Sequence, residues 1–359
     1  MTTHALIVDK RAFYARPLLE WRPGIARYLC APFFFAASLI YACVAAGIGF
    51  FFKCGIAKSR VYQDMRLISV GNISCGGTGK TPLVMKIARH CRARGERVGV
   101  LMRGYGKDES AMLQERLRGV PIVRSPDRFA GLRQLSREGI KTVVLDDAFQ
   151  RRNLARDVDI VLIDARTFSR KDFFLPLGSL REPLRSARRA DIIVITKADA
   201  QPSAHEAYEK FLARIGTQKD AVFFSSYTAT CGRDVVTGEE ISLATLRTQR
   251  VAGFCGIANP EYFYDTLKNN TAGIDAFYIF PDHYGYRGKD LAPVLNRARA
   301  QALGAVVITA KDAAGLRAHI APEDLRALAS SARIVSLEIT MDCSDEEKFF
   351  QRIDTLSRT

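Results

Sequence analysis

Residues 66–82 read RLISVGNISCGGTGKTP. A short apolar run (Leu67 to Val70) leads into a glycine-rich turn, and Lys80 and Thr81 open a helical pattern carried by Leu83, Val84, Ile87 and Ala88. Strand, glycine turn and helix in that order make a phosphate cradle. Backbone N–H groups of the loop and of the helix start point into one concavity, where the helix dipole adds positive charge. Residues Ser74, Cys75, Gly76, Gly77, Thr78, Gly79, Lys80 and Thr81 are the candidate nucleotide contacts. Lys80 would reach the β- and γ-phosphates, and the Thr81 hydroxyl would ligate Mg²⁺. The strict GxxxxGK[ST] pattern is not met, because Ser74 stands where its first glycine belongs. The competing reading is a glycine-rich turn between two core elements.

A chain of 359 residues has room for two domains with separate cores. The formal net charge of +15 implies anionic company: nucleic acid, acidic lipid or a phosphorylated substrate. Eight cysteines are scattered without a CxxC pair or a grouping with histidine, which speaks against a disulfide framework and a zinc site.

Residues 1–29 are polar and basic, and the composition then changes abruptly. From Cys30 to Phe52 there are 23 residues without a charge, enough for a helix to cross a hydrocarbon core of about 30 Å. The run is too long and too far from Met1 for a secretory signal, and Lys53 follows it at once. Lys53, Lys58, Arg60 and Arg66 on the far side balance the basic residues on the near side, so charge bias assigns no orientation. A single span and a helix lodged in the inner leaflet are both open, and a buried core helix is the third reading.

From Arg66 onward apolar strands alternate with helices, which predicts a mostly parallel sheet covered on both faces, of the P-loop NTPase type. Expected strands are Leu67 to Val70, Val98 to Met102, Val120 to Val123, Lys141 to Leu145, Asp159 to Ile163 and Asp191 to Ile195. Residues 221–250 break the rhythm and read as two extended pieces around a turn at Thr237 and Gly238. A second, smaller α/β lobe follows. The expected organisation is a basic segment and membrane helix (1–60), a P-loop lobe (61–220), a two-stranded linker (221–250) and a C-terminal lobe (251–359).

Several residues sit where chemistry needs them. KTVVLDDAFQ (141–150) is an apolar strand ending in Asp146 and Asp147, candidate carboxylates for Mg²⁺ beside Thr81, with Asp164 at the next strand end a weaker rival. RGYGKDE (103–109) presents Asp108 and Glu109 after the second strand. Arg181, Arg185 and Arg188 fall near helical spacing and could form one phosphate-binding face, with Pro183 marking where a helix could begin. ITKAD (195–199) resembles the guanine-reading motif of GTP-binding proteins and supports an alternative, a membrane-associated P-loop GTPase. FPDHYGY (280–286) puts His283 after a strand, next to an acid and two tyrosines.

Taken together these blocks resemble the tetraacyldisaccharide 4′-kinase family. The likeness runs through the apolar helix, SVGNISCGGTGKTP (69–82), RGYG (103–106), DDAFQRRNLARDVDIVLIDA (146–165) and LPLGSLREPL (175–184). It continues with GIANPEYF (256–263), FPDHYGY (280–286) and TAKD (309–312). Ala148 replaces the glycine of the family's DDGFQ, Arg151 stands where histidine is frequent, and the loop between RGYG and Asp108 is shortened to Lys107. The resemblance implies transfer of the ATP γ-phosphate to the 4′-hydroxyl of an acylated glucosamine disaccharide 1-phosphate, with Mg²⁺. It further implies an anionic inner membrane beneath cytoplasmic catalytic lobes, and no nucleic-acid partner. Asp108 and His283 would act as a base pair, Asp146 or Asp147 would hold the metal with Thr81, and Arg181 and Glu182 would shape the phosphoryl site.

Overall fold

The computed structural model describes residues 6–9, 25–104, 107–165, 173–200, 205–217 and 219–356. The chain begins with a short strand, β1 (Leu6–Asp9), and one long helix, α1 (Ile25–Lys53). Then come β2 (Arg66–Asn72), α2 (Lys80–Ala93), β3 (Val98–Met102), α3 (Lys107–Arg116), β4 (Ile122–Arg124), α4 (Arg128–Arg137), β5 (Thr142–Asp146) and β6 (Val158–Asp164). They are followed by β7 (Ile192–Thr196), α5 (His205–Ile215) and the long β8 (Val222–Asp234). The remainder is β9 (Glu240–Ser242), α6 (Leu243–Arg247), β10 (Arg250–Cys255), α7 (Pro260–Asn269), β11 (Gly273–Ile279), α8 (Gly288–Ala300), β12 (Ala305–Thr309), α9 (Ala310–His319), α10 (Pro322–Ala329), β13 (Ile334–Cys343) and α11 (Glu346–Thr355).

Two compact units form. One holds residues 16–105, 116–226 and 341–359, and the other 1–15, 106–115 and 227–340. The last helix, α11, therefore groups with the P-loop unit rather than with the residues before it in sequence. Lys86 on α2 explains part of this, donating to the Met341 carbonyl at 3.0 Å and pairing with Glu346 at 2.6 Å.

In the P-loop unit the strands run β8–β7–β6–β2–β5–β3–β4, all parallel. Burial on both faces explains why the strands read as unbroken apolar runs, since β3, β5, β6 and β7 have no exposed residue. β2 lies between β5 and β6, with Val70 opposite Asp146. The carboxyl end of β2, where the glycine loop begins, is thus beside the paired aspartates.

In the other unit β1–β11–β10–β12–β13 are parallel neighbours. β9 returns antiparallel on the outer half of β8 through a turn at Gly238, as the 221–250 pattern predicts. Phe254, Tyr286, Leu291, Ile308 and Leu316 centre its core. β1 is a surprise from a segment that reads as polar and basic: LIVD pairs Leu6 to Asp9 with Ala276 to Ile279.

Candidate active site

The phosphate loop is held by residues on both sides of it in sequence. Asn72 Nδ2 donates to Thr78 Oγ1 (3.0 Å), and Gln150 Nε2 donates to the Asn72 carbonyl (2.7 Å). The segment before Arg181 straps the entry to the loop: Cys75 N donates to Ser179 O (2.7 Å), Arg181 N donates to Ile73 O (2.7 Å), and Ser74 bridges Leu180 antiparallel. This extended bridge is why serine serves where a glycine is usual. Gly79 is different, because φ of 88° at the N-cap of α2 is a left-handed backbone that glycine adopts without strain. No side chain caps α2, and its first turn carries no acid, so its opening N–H groups face outward for an anion.

Asp147 follows β5 with φ of 53°. Arg181 Nη1 donates to both of its carboxylate oxygens, at 2.7 and 2.9 Å, while Lys80 Nζ stands 3.9 Å away. Burial alone would raise the Asp147 carboxyl, but Lys80 and Arg181 outweigh it and hold the group below its usual value. Arg181 also donates from Nε to Cys75 Sγ at 3.2 Å. Asp146 is buried, with Arg128 donating to its carbonyl and, at 2.9 Å, to the Leu101 carbonyl. Burial pushes the Arg128 guanidinium down to about 10 against the pull of Asp146 and Asp147.

Glu182 is buried between two guanidiniums, Arg152 at 2.8 Å and Arg189 at 3.1 Å, and Arg189 stacks over Phe149. Of Arg181, Arg185 and Arg188, which could form one basic face, Arg181 stands apart from the exposed Arg185 and Arg188. Pro183 separates Arg181 from a 3₁₀ turn over Leu184–Arg189, so Arg181 turns to Asp147 while Arg189 turns to Glu182. Asp164 pairs with Lys197 at 2.7 Å, and Lys197 Nζ also donates to the Gly77 carbonyl at 2.5 Å. The lysine of TKAD thereby serves the phosphate loop.

A second polar cluster belongs to the other unit. Lys311 Nζ is 2.6 Å from Asp282 Oδ1, 3.4 Å from His283 Nε2 and 3.6 Å from Glu109 Oε1, and His283 is 3.9 Å from Glu109. The backbone of Asp108 is in the first turn of α3, and its side chain lies outside the described residues. Lys311 is the residue of this cluster that sequence reasoning missed, although TAKD was the signal for it.

The family model for tetraacyldisaccharide-1-P 4′-kinase (LpxK) matches residues 30–358. The chain belongs to this family. The tetraacyldisaccharide 4′-kinase of Anaeromyxobacter sp. (strain K) is 35% identical over 342 residues, 88% of each chain. That of Syntrophus aciditrophicus (strain SB) is 32% identical over 309 residues, 73% of this chain and 81% of the relative. A crystal structure of LpxK from Aquifex aeolicus in complex with ATP matches with a TM-score of 0.69 at 27% identity, covering 93% of this chain and 100% of that one. The family's reaction is this chain's reaction: ATP-dependent phosphorylation of tetraacyldisaccharide 1-phosphate at the 4′ position, in lipid A biosynthesis.

The departure from the family's DDGFQ also has a local account. The left-handed φ belongs to Asp147, and the following Ala148 is fully buried in the core with Leu145 and Leu154, so its methyl group packs without strain. Arg151 closes that turn by donating its N–H to the Ala148 carbonyl at 2.8 Å.

Proposed function

We propose that loop 74–81 takes the phosphates of ATP, with Lys80 reaching the β- and γ-phosphates for transfer to the 4′-hydroxyl of the acylated disaccharide 1-phosphate. The observation that carries this reading is the uncapped start of α2 behind Gly79, with Lys80 at its first position. The ATP in the A. aeolicus relative supports the same nucleotide. Thr81 with Asp146 or Asp147 would hold Mg²⁺, whose charge would offset that of the phosphates. These are hard oxygen donors, and among the described residues no three His, Cys, Asp or Glu side chains gather into a cage. That fits an ion bound by one or two carboxylates and completed by phosphates and water. Arg181, steered by Asp147, would present its guanidinium to the transferring group, while Glu182 fixes the strap through Arg152 and Arg189. Asp108 with His283 would take the proton of the acceptor hydroxyl, on the strength of the family resemblance, and Glu109 and Lys311 would orient the imidazole. Nucleotide competition with labelled ATP and the disaccharide acceptor tests the reading. Transfer of phosphate from GTP in preference to ATP would sink it.

We further propose that α1 lies in the cytoplasmic leaflet of the bacterial inner membrane, with both catalytic units on the cytoplasmic side. Ser38 Oγ donates to Phe174 O (2.7 Å) and accepts from Leu177 N (3.0 Å), Ala31 and Phe34 pack on Leu177, and Arg152 crosses Gly49, where a Cβ would come within 2.9 Å of it. From Ala31 to Gly49 the axis rises ~27 Å, close to the hydrocarbon thickness of about 30 Å, so the helix touches the protein near both ends of a membrane-long stretch. Phe33, Leu39, Ile40, Val44, Phe50 and Phe51 on the remaining surface are exposed and would enter the acyl chains. Anionic headgroups would then meet the basic surface of the protein. Functionally, 1–60 is the membrane segment, 61–220 the nucleotide lobe, 221–250 the ribbon and 251–359 the second lobe, except that 1–15 and 106–115 group with the second lobe and 341–359 with the nucleotide lobe.

A further inference from the structure

Three sequence blocks with no role in the phosphate loop, GIANPEYF, FPDHYGY and TAKD, meet at one carboxylate. Asp312 is 3% exposed. Its Oδ1 accepts from the Gly256 N–H at 2.9 Å and from the Tyr286 hydroxyl at 2.6 Å, and its Oδ2 accepts from the Thr309 hydroxyl at 2.6 Å. Thr309 in turn caps α9 by accepting from Asp312 N at 3.1 Å, which fixes the helical turn that carries Lys311. Tyr286 is itself locked in the core against Phe254 and Phe280, and it lies three residues after His283. His283 has φ of 58°, a left-handed conformation that is strained for a non-glycine residue and persists only where its surroundings hold it.

We propose that Asp312 is a positioning residue for the reaction. By pinning the 256 turn, the loop of Asp282 and His283, and the first turn of α9, it sets the separations within the Asp282–His283–Lys311 cluster. Because Asp312 is buried, it would act through His283 and Lys311. The inference rests on the reading of His283 as part of the proton-transfer machinery. Buried carboxylates with three donors are costly to replace by groups that cannot accept, and a misplacement of about 1 Å in a reacting group costs on the order of a hundredfold in rate.

The test uses the full chain in detergent with ATP and the disaccharide acceptor. Asp312→Asn should lower kcat by about tenfold to a hundredfold while the KM for ATP moves by less than about twofold. Tyr286→Phe, which removes one hydroxyl and keeps the ring, should lower kcat in the same direction and serves if Asp312→Asn does not fold. Adding either substitution to His283→Ala should lower kcat by less than about twofold beyond His283→Ala alone, because the positioned group is already gone. A scaffold role without positioning would instead leave the full loss in place, and that result would overturn the proposal alone. Wild-type kcat in His283→Ala would overturn the reading of His283 and this inference with it. Wild-type kcat in both Asp312→Asn and Tyr286→Phe would overturn the inference and leave His283 untouched.

Discussion

Lys197 Nζ lies 2.5 Å from the carbonyl oxygen of Gly77 and 2.7 Å from Oδ2 of Asp164, so the lysine at the end of β7 clamps the middle of the phosphate loop. It is 3% exposed. A charge-assisted hydrogen bond of this kind is worth about 1.5–3 kcal/mol, or roughly tenfold to a hundredfold in affinity. Lys197→Met should therefore raise the KM for ATP by about that factor, with a smaller change in kcat at saturating ATP. Separate titrations of ATP and of the lipid acceptor check it. A raised KM for the lipid with ATP unaffected would show that the clamp does not shape the nucleotide site.

The Asp147–Arg181 pair gives a prediction in pH. Because Lys80 and Arg181 outweigh burial, the folded value of Asp147 lies below its unfolded value. Between the two values the native chain binds fewer protons than the unfolded chain, so the stability this group contributes is present above the unfolded value and is lost as pH falls through the folded one. Asp147→Asn should thus lower the melting temperature by a constant amount above about pH 5, and the gap to wild type should narrow below about pH 4. Melting curves across that range decide it; a gap that widens in acid would reverse the sign assigned here. Activity of Asp147→Asn should be low at every pH, since Arg181 loses the partner that aims it.

Legibility of the fold followed the strength of its local periodicity. β2, the glycine loop and α2 stood out because strand, turn and helix signals are contiguous there, and Asp146 and Asp147 because two acids end an apolar strand. β1 was illegible because four residues, LIVD, give too short a period inside a basic stretch, and its pairing with β11 spans most of the chain. α9 hid for another reason. Its sequence, AKDAAGLRAH, buries five consecutive residues from Asp312 to Leu316 and has no amphipathic stripe, so TAKD read as a motif and not as a helix start. Long-range partners were beyond reach altogether: nothing local says that Glu182 bridges Arg152 and Arg189, or that Lys197 turns toward Gly77.

The acids after RGYG are separable by mutation. Glu109 stands 3.9 Å from His283 and 3.6 Å from Lys311, so its part in the proposed site is to orient the imidazole. Partly exposed pairs of this kind are worth about 0.2–1 kcal/mol, so Glu109→Gln should cost less than roughly fivefold in kcat. Asp108→Ala removes the proposed base and should cost about 10² to 10⁴ in kcat, with little change in ATP binding. Single-turnover rates beside ATP affinities give the comparison. The reverse order, a near wild-type Asp108→Ala with an inactive Glu109→Ala, would move the base to Glu109.

The proposed membrane attachment would rest on two forces of different range. Removing residues 1–52 should release the protein from inner-membrane vesicles only in part, because a net charge of +15 over the whole chain leaves basic surface for anionic lipid. Salt should complete the release, since charges are screened within about 8 Å at physiological ionic strength and closer still above it. Truncated protein retained in high salt would reveal a second apolar anchor.

The posture of α1 can be read directly by labelling its two ends. With one face of the helix occupied by Phe174, Leu177 and Arg152, a span would strip protein contacts that include both hydrogen bonds of Ser38. A helix kept against the protein leaves its two ends on one side of the membrane. Cys54 follows the helix and is exposed. In a chain where the other cysteines are replaced, Ala26→Cys would mark the opposite end. A membrane-impermeant thiol reagent should label both positions in inverted inner-membrane vesicles and neither in intact spheroplasts. Labelling of residue 26 from the outer face alone, with Cys54 reached only from the cytoplasmic face, would mean that the helix spans the bilayer and that its contacts with the P-loop unit are given up in the membrane.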